Sequence, residues 1–113
     1  MNSRELTAAL VTLQEAGAAL PSDPDGLHRT LGELDRLIGA LSDYIRGLSS
    51  TVETFPDGPV GVRLDQGDSP VTVDFVCTRV ANHLQAAAAG MDQAQGAVRI
   101  AHHLGERLHP TRG

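Results

Sequence analysis

Lysine and tryptophan are absent from this chain, cysteine occurs once, and aromatic rings are confined to Tyr44, Phe55 and Phe75. Each shortage excludes something. A single cysteine, Cys77, leaves no internal disulfide to staple a small fold. With so few rings, a broad aromatic sandwich core is out of reach, whereas abundant Ala, Leu, Val and Gly suit close helix packing. All nine basic residues are Arg, which we read as the mark of a high-GC, bacterial genome. They are scattered among 14 acidic residues, the net charge is −5, and no basic stripe forms that would neutralise a nucleic-acid backbone. Long apolar runs are missing too. Gln14 and Glu15 interrupt the N-terminal one, so no signal peptide and no membrane span is expected, and the expected location is the cytoplasm.

What the chain does have is heptad-like periodicity. Leu27, Leu31, Leu34, Ile38, Leu41, Ile45, Leu48, Val52 and Phe55 recur at alternating steps of four and three, which predicts one long helix over about 24–55. Leu37 and Tyr44, in line with Thr30 and Thr51, add a second column and predict at least two packed neighbours. A shorter helix over about 3–20 carries Leu6, Leu10, Leu13, Gly17 and Leu20, with Asn2 and Glu5 in capping-box spacing and Pro21 as its stop. Asp23 and Pro24 supply a cap and a first-turn proline for the long helix. Residues 56–69 read as a loop. A last helix over about 70–109, capped by Ser69 and stopped by Pro110, has the seam Val73, Cys77, Val80, Leu84, Ala87, Met91, Ala94, Val98, Ala101, Gly105 and Leu108.

The expected fold is therefore all-α, a single domain over 1–113: an antiparallel long hairpin with a shorter N-terminal helix, as a three-helix, coiled-coil-like bundle able to dimerise. Alternation of Val60, Val62 and Leu64 with Val71, Val73 and Phe75 around a glycine-containing turn also admits a short β-hairpin in 59–75. At 1.5 Å per residue the helices would be roughly 27, 48 and 60 Å long, so the first covers only about half of the hairpin. Tyr44, Leu48, Val52, Phe55, Val73, Val76 and Val80 are left as an apolar patch near the loop, which predicts an interface with a second copy or another helical protein.

No residue set identifies a reaction, and no cofactor is expected. His102, Glu106 and His109 fall at i, i+4 and i+7, and Glu106 with His109 forms a Glu-x-x-His pair, the unit that helical di-iron sites use twice. Only one copy occurs, Asp25 and His28 are the residues an antiparallel neighbour would add, and histidines in a last helical turn already favour the helix dipole. Cys77 with His83 has the residue types of a nucleophile and base, but Cys77 holds a seam position, where a free thiol is packing. Asp57, Asp65 and Asp68 lack the spacing and terminal Glu of a calcium loop, and Gly58, Gly61 and Gly67 lead into no phosphate-binding helix. The sequence reads as a non-enzymatic, homodimeric assembly module. Size and two long antiparallel helices also loosely resemble the WXG100 substrates of type VII secretion, which implies a helical partner or export. The chain departs from them in having no Trp, Phe55-Pro56-Asp57-Gly58 at the turn, a longer loop and an added leading helix. A metal-binding bundle using the C-terminal His/Glu face is the third reading.

Overall fold

The computed structural model describes residues 2–17, 20–58, 61–64 and 72–111. It is all-helical. Helix α1 spans Ser3–Ala16, α2 Pro24–Glu53 and α3 Val73–Gly105, with one 3-10 turn at Phe55–Asp57 and no strand among the described residues. Val73 and Phe75, one arm of the alternative hairpin, belong to α3, while residues 59, 60 and 65–71 lie outside the described residues.

Local chemistry fixes the helix ends. Asn2 Oδ1 accepts from the Glu5 N–H at 2.9 Å, and Glu5 Oε2 accepts from the Asn2 N–H at 3.3 Å, which closes the capping box. The helix stops at Ala16, four residues before the expected Leu20, with Gly17 donating back to Leu13 O at 3.0 Å. Glycine is a poor propagator, and Leu20 precedes a proline that disfavours helical backbone. Asp23 Oδ1 caps α2 by accepting from the Gly26 N–H at 2.7 Å. The cap of α3 is Thr72, whose Oγ1 accepts from the Phe75 N–H at 3.1 Å; Ser69 and Pro70 lie outside the described residues. Its end at Gly105 comes before the expected His109, with the chain turning through Leu108 N–H to Gly105 O at 2.9 Å ahead of Pro110.

The contacts divide the chain into two units, Leu41–Gln93 and Met1–Ala40 with Ala94–Gly113. In the first of these, α2 and α3 run antiparallel through a seam of small and hydroxyl residues. Ser42 and Ser49 are fully buried, as are Ala81 and Ala88. Ser49 Oγ donates to Ala81 O at 3.0 Å and accepts from Gln85 Nε2 at 3.0 Å. Ser42 Oγ donates to Asp92 Oδ1 at 2.7 Å, lies 3.4 Å from Ala88 O, and accepts from Arg46 at 2.6 Å, while Arg46 and Asp92 close an ion pair. Contact between side chains this small brings the backbones close enough for a hydroxyl to reach the opposite carbonyl. No buried side-chain N or O among the described residues lacks a partner.

In the other unit the same two helices pack through Asp35, whose carboxylate takes Arg99 Nε at 2.9 Å and whose carbonyl takes Gln95 Nε2 at 3.1 Å. The Gln95 amide lies across Gly39, where an added Cβ would come within 2.7 Å of Nε2. The His28 imidazole bonds to Gly105 O, donating through Nε2 at the carbonyl end of α3. Helix α1 buries no residue: Leu6 and Ala9 are half-buried, and Leu10, Val11 and Leu13 are exposed. Thr30, Leu34 and Leu37 of α2, together with Ala9, Leu13 and Ala16, line a cleft of about 490 Å³ against it.

The expected seams hold in part. Ile38, Cys77 and Gly105 are buried, and Leu27, Leu31, Leu34, Leu41, Ile45, Val52, Val73, Leu84, Met91 and Val98 are half-buried. The other seam residues differ. Leu48 of α2, Phe55 of the 3-10 turn, and Val80, Ala87, Ala94, Ala101 and Leu108 are exposed, whereas Ser42, Ser49, Ala81 and Ala88 are fully buried. At Leu48, Val80 and Ala87 the shift is a single residue. A step of three and a step of four both stay on one helical face, so periodicity fixes one column of each helix and leaves its companion open.

Two predictions follow from this packing. Ser49→Leu, which raises apolar content at a seam position, should destabilise the fold by about 1–3 kcal/mol through overpacking, and Ser49→Ala by less, measured by urea denaturation. The Asp92 carboxyl is held below its ordinary value, first by the hydrogen bond from Arg46 and then by that from Ser42, against the opposing effect of burial. Its folded pKa being the lower one, its contribution is present above the ordinary carboxylate value and lost as pH falls through the lowered one. Asp92→Asn should therefore lower stability at neutral pH and flatten the acid-side fall in an unfolding-versus-pH series.

Candidate interaction surface

In the Leu41–Gln93 unit, turning the small residues inward turns large ones out. Leu48 is 40% exposed, Phe55 41%, Val80 40% and Phe75 54%, while Tyr44, Val52, Val73 and Val76 are half-buried. The four side chains that are fully buried in the whole described chain are only Ala or Ser in type. Apolar surface left in water at roughly 25 cal/mol per Å² is a standing driving force for association.

The surface has a groove. Phe75, Val76, Val80 and Leu84 line an open depression of about 450 Å³, to which Arg79 and His83 add the polar groups. All six belong to α3. The rows Phe75–Arg79–His83 and Val76–Val80–Leu84 are adjacent i, i+4 ridges, and the furrow between two such ridges is the shape that receives side chains of a packing helix or turn. Phe75, Arg79, His83 and Leu84 were not part of the patch expected from sequence. The signal was available in the i, i+4 spacing of Phe75 with Arg79 and of Val80 with Leu84, but it is indistinguishable there from the solvated flank of a seam.

In the same unit the α2 arm ends in the 3-10 turn. Thr54 N–H donates to Thr51 O at 3.1 Å, Asp57 N–H to Thr54 O at 3.3 Å, and Gly58 N–H to Phe55 O at 3.3 Å, with Thr54 Oγ1 donating to Thr51 O at 2.7 Å. These bonds hold Phe55 outward between Glu53 and Asp57, both exposed. Glu53, Asp57 and Arg79 make no ion pair with another described residue.

The residues weighed for chemistry do not assemble. Among the described residues no group of three His, Cys, Asp or Glu side chains is placed to hold a metal ion. His102 is half-buried on α3, but Glu106 and His109 lie beyond the helix end at Gly105, so the i, i+4, i+7 face is not continued. Glu106 instead stands 3.8 Å from exposed His103, a pairing of little energetic weight. Cys77 is buried in the α2-facing row while His83 is exposed at the groove. Asp65 and Asp68 lie outside the described residues. No described helix is long and apolar enough to cross a membrane. The chain matches no protein-family model, no curated protein and no solved structure.

Proposed function

We propose that this chain is a non-enzymatic helical assembly module of the cytoplasm that works as a homodimer, joined through the apolar surface of its Leu41–Gln93 unit. The observation that carries the reading is the inversion of large and small residues there. Ser42, Ser49, Ala81 and Ala88 fill the intramolecular seam while Leu48, Phe55, Phe75 and Val80 remain in water. Within one chain, that distribution leaves much of the apolar content without a packing partner. A second chain gives it one, and large exposed apolar patches mark interaction sites.

Scattered charge of both signs and a net charge of −5 favour a protein partner over a nucleic acid. The test is molar mass by light scattering over a wide concentration range, for the wild type and for Leu48→Glu and Val80→Glu. The expected result is a wild-type dimer and variants that lose mass at concentrations where the wild type stays assembled, with helical circular dichroism retained. Equal loss of mass and of helix in both variants, or a wild-type monomer at every concentration, would overturn the homodimer.

A further inference from the structure

We infer that the contact between copies is reciprocal: Phe55 of each chain, flanked in the sequence by Glu53 and Asp57, seats in the groove of the other chain, on whose Phe75 ridge Arg79 and His83 stand. This inference rests on the homodimer reading and specifies its geometry. Knob and socket both lie on the Leu41–Gln93 unit, and Phe55 does not line its own chain's groove. The 3-10 turn presents the ring 41% exposed and tied by backbone hydrogen bonds on either side, so little ordering entropy is spent on docking it. The socket walls are Phe75, Val76, Val80 and Leu84, an apolar lining suited to an aromatic ring.

Charge selects a second copy as the occupant. The knob has two exposed carboxylates and the socket one exposed guanidinium beside an imidazole, and neither Glu53, Asp57 nor Arg79 is ion-paired within the described chain. One chain thus carries both halves of a complementary pair. In a two-fold dimer residue i meets j and j meets i, so each apolar and ionic contact is made twice. Pairs made beside an apolar, partly desolvated contact act mainly on specificity and register.

The complementary halves allow a charge-swap test. Arg79→Glu alone places a carboxylate opposite the acidic knob at both contacts, and the double variant Glu53→Arg/Asp57→Arg places arginines opposite Arg79 at both. Each should raise the dimer Kd by about tenfold or more at low salt, while an equimolar mixture of the two restores a dimer, because every contact in the mixed species is again of opposite sign. Phe55→Ala should weaken dimerisation in any partner. Masses by light scattering and native mass spectrometry read the result, with circular dichroism checking that each variant stays helical. A wild-type dimer that persists in both charge variants, or a mixture that fails to form the mixed dimer, would overturn this contact and leave the homodimer standing. A wild-type monomer would overturn both.

Discussion

The close antiparallel approach of α2 and α3 is the constraint from which the remaining features derive. Helices separated by leucines do not bring a serine hydroxyl within reach of the opposite main chain; here Ser49 Oγ stands 3.0 Å from Ala81 O. That approach requires Ser, Ala and Gly in the contact, and these side chains bury little apolar area each. The energetic burden shifts to dispersion between close backbones and to hydrogen bonds that satisfy every buried side-chain N and O among the described residues. His28, Asp35, Ser42 and Ser49 are spaced seven apart in the sequence, and each makes a bond to α3. A polar column of this kind penalises slippage, since moving a serine off its carbonyl leaves a donor buried without a partner.

Excluding large side chains from that seam has a consequence for the surface. Leu48 and Val80 stay accessible because their neighbours Ser49 and Ala81 hold the seam, and Phe55 and Phe75 are exposed as well. Around α1 the outcome differs. Its Leu13 and the α2 residues Leu34 and Leu37 face one another across a cleft and leave α1 with no buried residue. A helix of 14 residues held so lightly contributes little to the stability of its unit, as isolated helices of that length are marginal in water.

The exposed apolar surface therefore arises from a packing choice made elsewhere, and no group of His, Cys, Asp and Glu side chains placed to hold a metal ion occurs among the described residues. The C-terminal histidines illustrate why spacing alone is a weak guide. His102, Glu106 and His109 share a face only for as long as the helix continues, and it stops at Gly105. Glycine at that position together with Pro110 downstream was visible in the sequence, but where a helix frays is decided by the bonds its last carbonyls find. The His28 imidazole takes one of them.

By itself the sequence determined the existence, order and type of the helices, because a four-and-three repeat over many turns has no other low-energy solution. It also determined the caps at Asn2 and Asp23, whose short polar side chains reach their own backbone. Only the tertiary structure decided which of two adjoining columns faces inward. Ser42 rather than Leu41, Ser49 rather than Leu48 and Ala81 rather than Val80 enter the seam. The physical reason is that a one-residue shift changes a side chain's direction by about 100°, too little to break the repeat and enough to exchange contact for solvent. Hydrophobicity favours the leucines, while interhelical distance favours the serines and alanines, and distance is a property of two helices together.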